Sequence, residues 1–171
     1  MVSIRKAIIN DIPNIISIGK KTFLETYLIN TPREAVEAFI EKTFDESTLT
    51  NEFANDSIVY HLVHLDDKLV GYSKIVLNVS NNHIDQKHIT KLDRFYVLKE
   101  FHGRRLGKQL FDFIVNFSQQ QQQQGIWLYV LIENERAVHF YIKNDFEIVG
   151  YHDFVVSKTR TNPNHVMFLE Y

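Results

Sequence analysis

The chain has 171 residues, which is enough for one well-cored domain and short for two. Hydrophobic residues make up 44% of it and charged residues 23%, the balance of an ordinary soluble globular protein. The net charge of -2 disfavours a general nucleic-acid-binding protein, because such proteins carry a basic excess. The absence of cysteine excludes disulfides, thiolate zinc sites and a cysteine nucleophile.

Hydrophobic periodicity predicts the element order β-α-α-β-β-β-α-β-α-β-β, which indicates one α/β domain spanning residues 1–171. Strands are predicted at Val2–Ala7, Ser57–Leu65, Leu69–Val79, Ile89–Leu98, Ile126–Ile132, Phe146–Val156 and His165–Tyr171. Helices are predicted at Asp11–Tyr27, Thr31–Phe44, Gly103–Gln124 and Asn134–Asn144.

Local signals support several of these boundaries. Asn10 and Asp11 are typical helix caps, and Pro13 suits the first turn that follows them. The pair Asp66–Asp67 indicates a hairpin turn between the second and third strands. The glutamine-rich segment 119–124 is interpreted as the solvated end of a helix that stops at Gly125, in preference to an interaction tract.

No membrane, export or metal signal is evident. The N-terminal segment is too polar for a signal peptide, and no apolar run approaches the roughly 20 residues of a membrane span. We therefore expect a cytoplasmic protein with neither a membrane nor a nucleic-acid partner. His61 and His64 are predicted on opposite faces of a strand, and His83 and His88 flank a loop without an acidic cluster, so we expect no metal site.

The segment from Lys91 to Lys108 holds the most informative local pattern. A strand ends near Leu98, a short turn follows, and a helix is predicted to open at Gly103. A helix N-terminus presents unpaired amides and a partial positive charge, and glycine permits close approach of a phosphate. Arg104, Arg105 and Lys108 add positive charge. The residues alone leave two interpretations open, an anion site or an ordinary connection with solvated arginines.

The same turn resembles the coenzyme-A-binding motif of the GNAT superfamily of N-acetyltransferases, Gln/Arg-x-x-Gly-x-Gly/Ala. The six positions here are His102-Gly103-Arg104-Arg105-Leu106-Gly107. Gly107 matches, whereas His102 replaces Gln/Arg and Arg105 replaces the first motif glycine. A side chain at 105 should narrow the approach of the pyrophosphate. Since the donors are backbone amides, which any residue except proline supplies, we expect binding to survive.

A second block strengthens the resemblance, which extends over residues 2–155. In the family the fourth helix ends as Ala-x-x-Phe-Tyr-x-Lys-x-Gly-Phe. Here the matching residues are Ala137, Phe140, Tyr141, Lys143 and Phe146, and Asp145 stands where glycine is usual. The segments Thr22–Tyr27 and Tyr96–Phe101 further resemble the PaiA-like polyamine acetyltransferase branch.

The resemblance implies a fold and a cofactor site. The fold is a mixed, mostly antiparallel sheet of about seven strands flanked by about four helices, splayed at the cofactor cleft. Acetyl-CoA would be the co-substrate, and no metal is implied. Its pyrophosphate would bind the turn, and the pantetheine arm would pair with the strand end and helix start, through residues that include Phe95, Tyr96, Val97, His102, Gly103, Arg104, Arg105, Leu106, Gly107, Lys108, Asn134 and Lys143.

The chemistry assigns three further residues. Tyr141 is the expected general acid, because a phenol with a pKa near 10 can protonate a departing thiolate with a pKa near 8.5. On sequence alone a core tyrosine with a bonded hydroxyl is the favoured interpretation, and the match to the family motif reverses that preference. Asp93 and Glu25 could each act as the base or hold a cationic amine, although each could also be a surface carboxylate.

The expected activity is acetyl transfer to a primary amine by direct attack in a ternary complex. The acceptor is a small amine, a polyamine or a peptide amine, and the family often forms homodimers. Two alternatives stay open: a non-catalytic coenzyme-A-binding sensor or scaffold, and an unrelated nucleotide-binding enzyme. The second is disfavoured, because neither a Walker lysine-serine pair nor a full dinucleotide fingerprint is present.

Overall fold

The computed structural model describes residues 1–29, 31–157 and 160–171. Within this part of the chain, seven strands form one mixed sheet in the order β1-β2-β3-β4-β5-β7-β6. The strands are β1 (Val2–Lys6), β2 (Ile58–Leu65), β3 (Lys68–Val76), β4 (Thr90–Val97), β5 (Gly125–Leu131), β6 (Glu147–Ser157) and β7 (Arg160–Glu170). The helices are α1 (Ile12–Tyr27), α2 (Arg33–Thr43), α3 (Glu46–Phe53), α4 (Leu106–Gln120) and α5 (Glu135–Lys143).

The predicted fold class is confirmed, since the sheet is mostly antiparallel. Strand β1 pairs antiparallel with β2, and β7 pairs antiparallel with both β5 and β6. Strands β4 and β5 run parallel, with Thr90 opposite Ile126 and Lys91 opposite Trp127. The hairpin turn is also confirmed: Asp66 and Asp67 have φ values of 48° and 64°, as a tight two-residue hairpin loop requires.

The chain forms two compact units, and each draws on two segments. The first comprises Met1–Ile75 and Arg94–Ile114. Its apolar core joins β2 and β3 to the first three helices, with Ile15, Phe44, Leu49, Tyr60, Leu62 and Tyr72 among its buried members. The second unit comprises Val76–Asp93 and Val115–Tyr171, and its core includes Ile84, Ile89, Trp127, Val166 and Phe168.

Helix α3 is an element that the sequence analysis did not predict. Its cap is well formed, because the Asp45 carboxylate accepts hydrogen bonds from the amides of Ser47 (2.9 Å) and Thr48 (3.1 Å). It has only eight residues, and Leu49 is its one fully buried side chain. With so little apolar periodicity, the Asp45 cap was the only clear signal for it.

Helix α4 begins later and ends earlier than predicted. It starts at Leu106 rather than Gly103, because Gly103 and Arg105 have φ values of 83° and 60°, which a right-handed helix excludes. It ends at Gln120, and Gln122 is again left-handed with φ of 58°. The glutamine-rich segment 119–124 was predicted to be the solvated end of this helix, and that prediction is wrong for its last residues.

Gln123 in that tail is only 7% exposed and binds the start of the loop between β3 and β4. Its side-chain oxygen accepts from the Asn78 amide (3.1 Å), and its amide nitrogen donates to Asn78 Oδ1 (3.0 Å). The amide of Gln124 donates to the carbonyl of His88 (2.6 Å) at the other end of the loop. The tail therefore fixes both ends of this loop.

Candidate active site

In the first unit, the turn before α4 has the geometry of an anion site. Gly103 is left-handed, and no described heavy atom lies within 4 Å of the position a side chain would occupy there. The first α4 residue is Leu106, and Gln109 donates to the carbonyl of Arg105 (3.1 Å). Helix geometry directs the amide N–H groups of residues 106–108 out of the N-terminal end of α4.

Arg105 adopts a left-handed backbone conformation of the kind that glycine favours. Its φ of 60° lies in the left-handed region, where a residue with a β-carbon costs about 1 kcal/mol or more. The side chain is exposed. At this position the chain therefore combines a backbone conformation that glycine favours with an exposed cation.

The other two cations of this turn, Arg104 and Lys108, contact neighbouring side chains. The Arg104 guanidinium lies 5.4 Å from the Phe101 ring centre, and the Lys68 ammonium lies 4.8 Å from it. Lys108 forms an ion pair with Asp112 one turn along α4. The turn thus presents three exposed basic side chains, at residues 104, 105 and 108. Both charge and backbone favour a phosphate.

His102 ties the turn back to β4. Its Nε2 lies 2.7 Å from the carbonyl oxygen of Val97, and its own amide donates to the carbonyl of Lys99 (3.0 Å). His102 thus has a structural role at the position where the motif has Gln or Arg. Phe95, Tyr96 and Val97 form the end of β4, as predicted for the strand that would face the pantetheine arm.

The two PaiA-like segments meet in this unit. Oε2 of Glu25 accepts a hydrogen bond from the amide of Lys99 (3.1 Å), and the hydroxyls of Tyr27 and Tyr96 lie 3.3 Å apart. Burial raises the pKa of both Tyr27 and Tyr96, so these phenols stay protonated at neutral pH. Glu25 therefore fixes the 3-10 turn Lys99–Phe101 to α1, a contact that sequence spacing alone did not predict.

In the second unit, Tyr141 is fixed near the end of α5. It is 7% exposed, and its ring centre lies 5.4 Å from that of Phe140 and 5.3 Å from that of Phe146. The helix ends in a Schellman motif: the amide of Phe146 donates to the carbonyl of Tyr141, and that of Asp145 donates to Ile142, both at 3.1 Å. Asp145 has the left-handed φ of 66° that this motif requires.

The other predicted residues of α5 lie at its two ends. Asn134 caps the helix, because its Oδ1 accepts from the amide of Ala137 (3.3 Å). Lys143 is exposed in the last turn. This cap role is compatible with a further hydrogen bond from Asn134 to a pantetheine arm.

Asp93 forms an ion pair that the sequence analysis missed. Its Oδ1 lies 2.8 Å from the Lys91 ammonium, and the side chains of Lys91 and Asp93 are 26% and 22% exposed. The same ammonium lies 5.7 Å from the ring centre of Trp127 and 5.6 Å from that of Tyr129. The signal was available, since residues two apart in a strand share a face.

A polar cavity of about 230 Å³ also lies in the second unit. Tyr129 forms part of its wall, and the other lining residues are Ser80, Asn81, Asn82, His83, His152 and Val166. The sequence analysis treated residues 80–87 only as a connecting loop. The cavity joins that loop to β5, β6 and β7, which a linear reading of the chain could not reveal.

The histidines do not converge on a metal. Among the described residues, no group of three or more histidine, aspartate or glutamate side chains could hold a metal ion. His61 is fully buried, and its Nδ1 lies 3.2 Å from the Ser73 hydroxyl. Within the same part of the chain, no helix combines the length and apolarity needed to cross a bilayer.

The residues of the turn fit the anionic end of acetyl-CoA. A pyrophosphate is suited by three features of this turn: the open space beside Gly103, the amides at the N-terminal end of α4, and the exposed cations. When bound, acetyl-CoA supplies a thioester as the activated acetyl donor. The residues that would hold it here are those of the turn and the end of β4.

Comparison with known proteins identifies the family. Residues 21–146 match the model of the acetyltransferase (GNAT) family. The chain is 30% identical over 150 residues to an uncharacterized N-acetyltransferase from the pepI 3' region of Lactobacillus delbrueckii subsp. lactis, covering 88% of this chain and 87% of that one. It is 25% identical over 166 residues to spermidine N(1)-acetyltransferase from Thermoplasma acidophilum, covering 92% and 96%.

A solved structure has the same fold. The PaiA N-acetyltransferase of Thermoplasma acidophilum, determined in complex with coenzyme A, superposes with a TM-score of 0.77 at 22% identity, over 100% of this chain and 99% of that one. The predicted similarity to PaiA-like proteins is confirmed. The chain therefore belongs to the GNAT acetyltransferase family, and it is an acetyl-CoA-dependent N-acetyltransferase.

Proposed function

We propose that this enzyme acetylates a primary amine of a small molecule, with polyamines as the foremost acceptor class. The acceptor class is supported by the similarity to a spermidine acetyltransferase over 92% of the chain. The observation that carries the proposal is the turn before α4, where a left-handed backbone, helix amides and three exposed basic side chains suit the phosphates of the donor. Direct attack follows from the absence of cysteine, which leaves no thiol for an acetyl-cysteine intermediate.

In this proposal the donor is held mainly by main-chain groups. Amides of residues 104–108 bind the pyrophosphate, and the main chain of Phe95–Val97 pairs with the pantetheine arm. Asn134 and Lys143 add polar contacts from α5. Arg105 contributes its charge to the phosphates, because its exposed side chain leaves a turn whose backbone already has the glycine-like path.

Tyr141 is proposed as the general acid. The acceptor nitrogen, as a free amine, forms a bond to the acetyl carbon, the carbon–sulfur bond breaks, and the phenol donates its proton to the leaving thiolate. The proton that the nitrogen loses on becoming an amide then restores the phenol. The ring contacts of Tyr141 with Phe140 and Phe146, and the Schellman motif at its carbonyl, support this role by fixing the ring. A flexible side chain would lose much of the benefit of positioning.

The acceptor must also lose a proton before it attacks. A primary amine has a pKa near 10.4, so most of it is protonated at neutral pH. Asp93 already pairs with the ammonium of Lys91, which supports it as the carboxylate that holds the acceptor ammonium or takes its proton through water. Glu25 already accepts the Lys99 amide, which supports a positioning role for it.

We further propose that residues 1–171 work as one acetyltransferase domain and that the enzyme is a cytoplasmic homodimer. The edge strand β6 supports the dimer, because it exposes the large apolar side chains of Ile148, Tyr151, Phe154 and Val155. Sedimentation velocity should then give twice the chain mass of 20.2 kDa. A monomer at every concentration tested would contradict this part.

The test is a thiol-release assay with acetyl-CoA and a panel of amines that includes spermidine, spermine, monoamines and a peptide with a free N-terminus. We expect turnover on at least one primary amine and the highest kcat/KM on a polyamine. Turnover confined to the peptide would overturn the acceptor class. Coenzyme A binding without turnover on any amine would overturn catalysis and favour a sensor.

A further inference from the structure

The ammonium of Lys91 occupies a place with the composition of an ammonium-binding site. It is 2.8 Å from the Asp93 carboxylate and within 6 Å of the centres of two aromatic rings, Trp127 and Tyr129. A carboxylate together with aromatic faces is the combination that recognises ammonium ions in proteins, through an ion pair and cation–π attraction. All four residues belong to the second unit.

The aromatic part of this site is rigid. Trp127 is 2% exposed, and its indole nitrogen donates to the carbonyl of Val79 (2.7 Å). The rings of Trp127 and Tyr129 pack edge to face at 5.1 Å, and Phe154 packs against Tyr129 in the same manner. The rings would therefore keep their places if the lysine side chain moved.

The lysine itself is the adaptable member. About a quarter of its side chain is exposed, and its four-carbon stem is flexible, so the ammonium has a path to solvent. Asp93 is similarly accessible. A ligand ammonium could then replace the lysine ammonium with the same chemistry.

Room for the rest of such a ligand lies next to the site. Tyr129 also lines the cavity of about 230 Å³. Apart from Val166, the other lining residues carry amide, hydroxyl or imidazole groups, and none of them is Asp, Glu, Lys or Arg. Amide and hydroxyl oxygens accept hydrogen bonds from amine groups. An alkylamine whose ammonium displaced Lys91 could extend along Tyr129 into this cavity.

We propose that Asp93, Trp127 and Tyr129 form a subsite for an alkylammonium group, and that Lys91 is its built-in occupant. The lysine competes with the ligand as a tethered ammonium. A short flexible tether gives an effective concentration in the millimolar range, so the ligand must exceed that level or bind better to displace it. Identification of the ligand as the acceptor rests on the proposed function, but the subsite itself does not.

The experiment uses the fluorescence of Trp127, which is the one tryptophan of the chain. The protein is titrated with n-butylamine and, as a neutral probe of the same shape, with 1-butanol, at fixed pH and ionic strength. In Lys91→Gln we expect a saturable change with n-butylamine at a half-saturating concentration at least about fivefold below that of the wild type. We expect no saturable change with 1-butanol.

Three further variants control for folding and charge. Lys87→Gln removes an exposed positive charge four residues away and should behave as the wild type. Lys91→Arg keeps a tethered cation and should keep the weak wild-type response. Lys91→Gln combined with Asp93→Asn should lose the response to n-butylamine. Thermal unfolding of each variant verifies that it is folded.

Equal half-saturation in the wild type and Lys91→Gln would overturn the proposal, as would an equal response to 1-butanol. The assay contains no acetyl-CoA, so its failure is separate from that of the proposed function. Saturation of Lys91→Gln without thiol release on any amine would leave the subsite standing and contradict the function. Thiol release without the fluorescence change would do the reverse.

Discussion

Two turns of this chain place a residue with a β-carbon where the GNAT motifs have glycine. Arg105 precedes α4 with φ of 60°, and Asp145 follows α5 with φ of 66°. The turn at Asp145 closes on itself, because its amides donate to the carbonyls of Tyr141 and Ile142. The turn at Arg105 instead opens onto the first amides of a 15-residue helix.

The comparison separates two uses of the same backbone conformation. At Asp145 the left-handed residue ends a helix and packs the ring of Phe146 against that of Tyr141, 5.3 Å away. At Arg105 it aims helix amides and a cation outward. In the proposed mechanism the turn at Asp145 serves to position Tyr141, and the turn at Arg105 serves to bind the phosphates of the donor. Changes at the two turns should therefore have different consequences for catalysis, affinity and stability.

The largest effect is expected from Tyr141→Phe. This change keeps the ring, its packing and the Schellman motif, and it removes only the hydroxyl. We expect kcat to fall about 100-fold or more, because the leaving thiolate loses its proton donor, while the KM for acetyl-CoA changes little. The measurement is steady-state thiol release on the best amine of the panel.

Tyr151→Phe is the matched control, since it removes a hydroxyl from an exposed tyrosine of β6. It should retain wild-type kcat. If Tyr141→Phe also kept wild-type kcat, Tyr141 would not be the general acid, and the turn at Asp145 would position no catalytic group.

The next effect is a pH dependence tied to α4. The ring of His61 packs against that of Phe113 on α4 at 5.3 Å, and burial, aided by the charge of Lys6, lowers the pKa of His61 to about 4. Below the ordinary histidine pKa of about 6.5, the unfolded chain binds a proton that the native chain excludes. Stability should therefore fall by up to about 3 kcal/mol as the pH drops from about 6.5 to about 4.

Urea unfolding at several pH values measures this dependence in the wild type and in His61→Gln. The variant should be less stable at neutral pH, but its stability should change less between pH 6.5 and 4. Identical slopes in the two proteins would show that His61 does not titrate in that window. The packing of His61 against α4 would then not contribute to the pH dependence of stability.

The sequence predicted some features of the fold and of the two turns and missed others. Hydrophobic periodicity predicted the order of strands and helices except for α3, and the motif residues of the turn and of α5 came from the resemblance to the GNAT family. The start of α4 was predicted at Gly103 instead of Leu106, because Arg104 and Arg105 are good helix formers and no local sequence signal indicates a left-handed residue. The Lys91–Asp93 pair was within reach, since strand alternation places both on one face. The cavity was not, because its walls come from a loop and three strands.

The binding turn can be tested by separating its backbone from its charge. Gly103→Ala places a β-carbon at φ of 83°, which should destabilise the protein by about 1–2 kcal/mol and weaken coenzyme A binding about tenfold, because the turn must shift. Arg105→Ala keeps a β-carbon at its position and removes one cation. We expect it to weaken binding only about threefold and to leave stability nearly unchanged.

Titration calorimetry with coenzyme A gives both affinities, and urea unfolding gives both stabilities. A larger loss of affinity in Arg105→Ala than in Gly103→Ala would reverse the argument. The arginine side chain would then have taken over from the backbone as the main phosphate ligand.

The smallest effect comes from restoring glycine at each turn, and it discriminates the turns most directly. Asp145 is exposed, so Asp145→Gly removes left-handed strain and should stabilise the protein by about 1 kcal/mol without changing kcat or affinity. Arg105→Gly should gain similar stability, but it also removes a cation from the phosphate site and should weaken coenzyme A binding. Thermal unfolding and calorimetry on both variants give the four values. If both variants were more stable than the wild type and neither changed the affinity for coenzyme A, the two turns would be equivalent. Arg105 would then be only a strained residue in a connection.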